Sequence, residues 1–187
     1  MDLSFRVICS TDDLLWSFMI NCLEEAFPGN ERRSPQQMAF LLEEPAFSAS
    51  ILMLDGSPVG IFNVWHLDSF HYIEHFAIIP SFREMGIGTT ALHQFISRVD
   101  TNVIIEVEKP TSTLNKRRIA FYERNGFFLC PVEYVQPPYD RGKEAVPLHL
   151  MMYGVASAPT ASDGEKIKQL LYERVYRGCS IVSYFHP

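Results

Sequence analysis

The order of apolar runs, helix caps and turns predicts a mixed α/β fold, with a mostly antiparallel central sheet of about seven strands, flanking helices and a helical appendage at the C-terminal end. Three observations predict it. A strand and two capped helices precede an antiparallel meander. An apolar strand, Tyr72 onward, then passes through a glycine-bearing turn straight into a helix. A second strand and helix follow, and two further strands close the pattern. At 187 residues the chain can bury one good-sized core, so a single domain over 1–154 is expected, with 155–187 forming a linker, a helix and a short tail packed on it.

Leu3 to Cys9 alternates as a strand, and Thr11-Asp12-Asp13 supplies capping chemistry for a helix through LLWSFMINCLEEAF. Pro28-Gly29-Asn30 ends that helix. Ser34-Pro35 starts a second one through Glu44, a cap residue followed by a proline whose missing N–H costs nothing at the first helical position. Ser48 to Leu54 and Val59 to Leu67, joined at Asp55-Gly56-Ser57-Pro58, form a hairpin. After the Tyr72 strand, Ile87, Ala91, Leu92, Phe95, Ile96 and Val99 recur at helical spacing. Asn102 to Val107 is a β-branched strand, and a helix separates it from the Tyr72 strand as in a parallel crossover. Ser112 or Thr113 caps the next helix, which Gly126 ends. Phe127 to Val135 and Val146 to Tyr153 complete the sheet. Beyond it, Asp163 to Arg177 reads as a helix and CSIVSYF as a short strand.

Composition narrows the function classes. With 47% hydrophobic and 20% charged residues, the chain reads as an ordinary soluble protein without a membrane span or a secretory leader, expected in the cytoplasm. Four widely spaced cysteines, Cys9, Cys22, Cys130 and Cys179, form neither a metal-ligand pair nor a dense disulfide framework. A net charge of −6 argues against nucleic acid and mildly favours a cationic substrate.

The stretch YIEHFAIIPSFREMGIGTTAL, Tyr72 to Leu92, organises the rest. Pro80 cuts off the strand, since it has no N–H to give to a ladder. Arg83, Gly86 and Gly88 then stand at a helix start, where unpaired backbone N–H groups and the positive end of the helix dipole suit an anion. A glycine turn of this kind also occurs for geometry alone.

Two motifs together carry a resemblance. Arg83-Glu84-Met85-Gly86-Ile87-Gly88 directly after an apolar strand, and Asn115 with Ala120-Phe121-Tyr122-Glu123-Arg124-Asn125-Gly126-Phe127, are similar to the two signatures of the GNAT superfamily of acetyl-CoA-dependent N-acetyltransferases. The likeness covers most of residues 3–153. It implies an acyltransferase that uses acetyl-CoA as cosubstrate and no metal. Main-chain N–H groups of Glu84, Met85, Gly86, Ile87, Gly88 and Thr89 would take the pyrophosphate, flanked by Arg83. Phe76, Ala77 and Ile78 would pair with the pantetheine arm and hold the acetyl carbonyl, and Asn115 would complete the coenzyme side.

Acetyl transfer to an amine needs a neutral amine, a polarised thioester carbonyl and a proton for the departing thiolate. The resemblance assigns the proton donor to Tyr122, which is otherwise a core aromatic beside Phe121. Glu74 is the candidate base, and the similarity of Ile73-Glu74-His75-Phe76-Ala77 to the family's polyamine acetyltransferase branch implies that it acts through water; by strand alternation it shares a face with Phe76, with His71 and His75 opposite. A glutamate paired with an arginine is the other role open to it. His66, His71 or His75 could also accept a proton, but the three make no convincing metal set. Lys116, Arg117 and Arg118 either reach the coenzyme's 3′-phosphate or form a solvated helix face. Trp16, Tyr139, Asp140 and Glu144 form an aromatic and acidic set suited to a primary amine. The expected partners are acetyl-CoA and a small amine, with no nucleic acid or membrane, in a monomer or homodimer. A protein or peptide acetyltransferase and a catalytically silent coenzyme sensor stand as alternatives.

Overall fold

The computed structural model describes residues 2–154 and 158–177. Among them are eight strands, mostly antiparallel, and five α-helices. The chain divides into two compact units, one of Met1–Pro28 with Arg32–Val103, the other of Gly29–Glu31 with Ile104–Pro187.

The first unit holds β1 (Leu3–Ile8), α1 (Trp16–Ala26), α2 (Pro35–Leu41), β2 (Phe47–Leu54), β3 (Ser57–His66), β4 (Phe70–Ile78) and α3 (Ile87–Ile96). The four strands pair antiparallel in chain order, β1 with β2, β2 with β3 and β3 with β4. The β2–β3 turn is tighter than expected, because Asp55 and Gly56 both take positive φ, 47° and 81°. That is the two-residue hairpin whose twist matches the flanking strands, and it returns Ser57 and Pro58 to the ladder. Ser34 accepts from the Gln37 N–H while the Gln37 side chain accepts from the Ser34 N–H, a full capping box ahead of Pro35. Asp13 is displaced from the expected cap position. Its carboxylate accepts from the Leu15 N–H at 2.8 Å and pairs with Arg6.

α1 and α3 pack on β4, and ring contacts mark the two faces of the sheet. Phe62 meets Phe5, Phe76 and Phe95, the last from α3. Phe27, just after α1, meets His75 from the other side. Gly60 is required by close approach: a Cβ there would lie 2.2 Å from the Ala77 carbonyl oxygen. Gly60→Ala is therefore expected to cost about 3 kcal/mol or more through backbone displacement, measured by denaturant titration.

The second unit holds β5 (Asn102–Glu108) from Ile104 onward, α4 (Thr113–Arg124), β6 (Phe128–Leu129), β7 (Tyr134–Gln136), β8 (Val146–Tyr153) and α5 (Ala161–Arg174). β8 lies between β5 and β6 and also pairs with β7. The single strand expected over Phe127 to Val135 is two short ones. Pro131 interrupts them, since it cannot donate to a ladder, and the Val132 N–H turns back to the Cys130 carbonyl. Ser112 caps α4 by accepting from the Asn115 N–H, and Gly126 follows that helix at φ 86°. Thr160 and Asp163 form a capping box, so α5 begins at Ala161 and ends at Arg174. The strand expected for CSIVSYF lies outside the described residues. No helix among the described residues is long and apolar enough to cross a membrane.

Candidate functional site

The β4–α3 junction is built as an open turn with unusual backbone. Phe76, Ala77 and Ile78 are half-buried, and residues Arg83 to Gly86 are exposed or nearly so. Arg83 donates from Nε to the Ile78 carbonyl at 2.9 Å, tying the turn to the end of β4. Glu84 and Gly86 take left-handed φ of 66° and 76°. For Gly86 this is free of steric penalty; for Glu84 it costs roughly 1–2 kcal/mol. Alternation of such residues turns successive N–H groups toward one side and forms an anion-binding concavity. Gly86 is also the N-cap of α3 and supplies no side-chain cap, so the first-turn N–H groups of Ile87, Gly88 and Thr89 face outward from a ten-residue helix.

Beside this turn lies a cavity of about 430 Å³ lined by Phe18, Asn21, Cys22 and Glu25 of α1 and by Ile79, Pro80 and Ser81. Burial, then the Glu25 charge, push the Cys22 thiol up to about 11, so it stays protonated at neutral pH.

Glu74 departs from strand alternation. The β3–β4 register slips between Asn63 and Val64, so Asn63 faces His75 and Val64 faces Ile73, with Glu74 as the extra residue of a β-bulge. The bulge turns Glu74 onto the Trp65 side of the sheet, away from Phe76. There Arg33 Nε donates to one carboxylate oxygen and Trp65 Nε1 to the other, both at 2.8 Å. The Arg33 guanidinium also stacks 5.7 Å from the Trp65 ring. The Glu74 side chain is 0% exposed and that of Arg33 is 6%. The carboxylate is thus a member of a buried ion pair.

The same bulge separates the histidines. His75 is fully buried against Phe27, whereas His71 faces Phe95 on the opposite side, so they do not share a face as alternation predicts. His66 and His71 lie Nδ1 to Nδ1 at 3.0 Å, and Ser48 reaches His66 Nε2 at 2.8 Å. Burial lowers the pKa of both, so they are mostly neutral at pH 7. Among the described residues no group of three or more side chains is arranged to hold a metal ion.

In the second unit, Tyr122 is 7% exposed on α4, between the rings of Phe121 and Phe127. Burial pushes its hydroxyl up to about 12, with Arg118 lowering and Glu108 raising it. The proton therefore remains on the phenol at any neutral pH. Arg118 is paired with Glu108, which removes it from the solvated basic face expected of residues 116–118; Lys116 and Arg117 are exposed. Asn115 donates through Nδ2 to the Lys109 carbonyl at 3.1 Å and so braces the loop before α4.

Of the expected acceptor set, Tyr139 is buried at 2% and stacks on Tyr176, while Asp140 and Glu144 are exposed and Trp16 is half-exposed. One further carboxylate escaped the sequence. Glu106, on β5, accepts from the hydroxyls of Tyr134 and Tyr176. Its signal is present as Ile104-Ile105-Glu106-Val107-Glu108, an acid set into a β-branched strand.

Residues 14–127 match the family model for the acetyltransferase (GNAT) family. A GNAT-family acetyltransferase from Bacteroides thetaiotaomicron superposes with a TM-score of 0.84 at 35% identity, covering 92% of this chain and 98% of that one. An aminoglycoside 6′-N-acetyltransferase complexed with coenzyme A gives 0.58 at 14%, covering 85% and 99%. Arabidopsis thaliana Naa50 with the bisubstrate analogue CoA-Ac-MVNAL gives 0.59 at 14%, covering 83% and 100%. No curated protein sequence matches. The family match across both signatures, with the 35%-identical structure over nearly the whole chain, establishes that this protein belongs to the GNAT family of acetyltransferases.

Proposed function

We propose that the protein transfers the acetyl group of acetyl-CoA to the primary amine of a small molecule by direct attack. The observation that carries the proposal is the β4–α3 junction, where two left-handed residues lead into a helix N-terminus without a side-chain cap. The N–H groups from Glu84 to Thr89 take the pyrophosphate, with Arg83 beside them, and the backbone of Phe76, Ala77 and Ile78 takes the pantetheine arm. Asn115 serves the coenzyme by holding the loop before α4. Glu25 and Asn21, on the cavity beside the turn, supply an anionic and a polar group suited to a cationic acceptor. With free thiols at Cys9, Cys22 and Cys130, we place the protein in the cytoplasm.

In the reaction the amine nitrogen attacks the thioester carbonyl carbon, the C–S bond breaks, and the Tyr122 hydroxyl gives its proton to the departing thiolate. The proton shed by the amine goes to a carboxylate, and two are candidates. Glu74 would take it through water, but its oxygens already hold a guanidinium and an indole N–H. Glu106 accepts from the hydroxyls of Tyr134 and Tyr176. Glu106 shares a strand face with Glu108, which pairs with Arg118 one turn before Tyr122 on α4, and this placement beside the proton donor's helix favours it.

Thiol release from acetyl-CoA, followed with polyamines, amino acids, aminoglycosides and peptides, tests the proposal. Acceleration by a small amine is the expected result. Acceleration by peptides alone moves the substrate to a polypeptide, and coenzyme binding without acceleration makes the protein a sensor. The base is assigned by Glu74→Gln and Glu106→Gln, each checked for folding by its melting temperature. The variant that flattens the acidic limb of the pH–rate profile identifies the base, and a folded Glu74→Gln enzyme with an unaltered limb removes Glu74 from that role.

A further inference from the structure

Two residues past the helix appended after the last strand, a buried tyrosine contacts a strand carboxylate far behind it in the chain. Gly164 of α5 packs against Val132 so closely that a Cβ would lie 2.8 Å from that side chain. Lys168 donates to the Glu133 carbonyl at 3.4 Å and Tyr172 to the Val135 carbonyl at 2.6 Å. These contacts bring the chain past α5 back toward β5. Tyr176 then places its hydroxyl 2.9 and 3.0 Å from the two oxygens of Glu106, with the Tyr139 hydroxyl 3.5 Å behind it. Tyr134 donates to the same carboxylate from β7. Tyr134, Tyr139 and Tyr176 are 1%, 2% and 0% exposed.

An appendage that only covered apolar surface would leave its hydroxyls in water, because burying polar groups is costly unless each finds a partner. Here three phenols are withdrawn from solvent around one acid. That acid is also well placed along its strand. Glu106 and Glu108 are two apart on β5 and share a face. Glu108 holds Arg118, and the two charges act on Tyr122, one turn further along α4.

We propose that Tyr176 is a positioning residue: the appended helix delivers its hydroxyl to Glu106, fixing that carboxylate to accept the proton of the attacking amine. The inference rests on the acetyl-transfer proposal above and adds that residues after the last strand are part of the working enzyme. The step balances simply. The amine proton passes to Glu106, the new N–C bond forms as the C–S bond breaks, and the thiolate takes the Tyr122 proton.

The test uses the full chain as wild type, Tyr176→Phe and Lys168→Met, the last removing from α5 the ammonium that donates to the Glu133 carbonyl. Glu106 is followed by carbon NMR of labelled glutamate carboxyls, its signal assigned by its loss in Glu106→Gln. Tyr176→Phe is expected to move the Glu106 titration midpoint upward, because a donor to the charged form is lost. The acidic limb of the kcat profile is expected to move with it, and kcat to fall roughly 10- to 100-fold with KM for acetyl-CoA unchanged. Lys168→Met is expected to leave both unmoved. An unmoved midpoint overturns the positioning contact. A moved midpoint with an unmoved acidic limb overturns its catalytic role. A wild-type enzyme that binds acetyl-CoA and shifts its midpoint in Tyr176→Phe, yet acetylates nothing in the panel, overturns the acetyl-transfer proposal and the catalytic role together while leaving the contact established.

Discussion

Tyr122→Phe lowers kcat by about 10²- to 10⁴-fold, the range for loss of a positioned general acid, while the dissociation constant of acetyl-CoA changes little. The substitution keeps the ring, which packs between Phe121 and Phe127, and removes only the hydroxyl. The helix is therefore expected to stay in place, and any loss of rate reports the proton. The sign of the pH effect also follows. With its hydroxyl pushed up to about 12, Tyr122 stays protonated throughout the neutral range and contributes no limb to the profile there. Single-turnover rates with wild type and variant, alongside coenzyme binding by calorimetry, check this. Equal rates would remove Tyr122 from proton donation, and equal loss of rate and binding would make it a packing residue.

Arg33→Met destabilises the protein by about 3–5 kcal/mol, the cost of leaving one member of a buried ion pair without its partner. At this chain length that lowers the melting temperature by roughly 10 °C. The carboxylate of Glu74 has 0% side-chain exposure, so water does not replace the guanidinium. The Trp65 indole remains as a donor, but a neutral N–H offsets only part of the lost charge. Pairing Arg33→Met with Glu74→Leu tests the cause, since removing both charges is expected to recover most of the stability. Thermal unfolding of the single and double variants supplies the cycle. Additive losses would mean that the two side chains do not stabilise one another.

Much of the architecture was legible because it is written in local chemistry. Ser34-Pro35, Ser112 and Gly126 mark helix ends by what their own atoms can bond or what φ they tolerate, and each marks one here. Asp55-Gly56 marks a hairpin for the same reason. The misses have equally local causes. Strand alternation assumes an unbroken ladder, so it placed Glu74 beside Phe76 and His71 beside His75, and a single bulge at Glu74 undid both. Pro131 split a strand that read as continuous from its apolar residues.

The two signatures around Gly86 and Tyr122 were enough, by themselves, to determine the family and hence the reaction class, because a strand, a glycine turn and a helix start are made by neighbouring residues whose preferences add. Partners distant in sequence were decided only by the tertiary structure. Arg33 meets Glu74 across 41 positions and Tyr176 meets Glu106 across 70. A carboxylate's chemistry depends on which donor faces it, a guanidinium or a hydroxyl, and that is set by the register of strands and the docking of a helix. No residue type or spacing announces it beforehand.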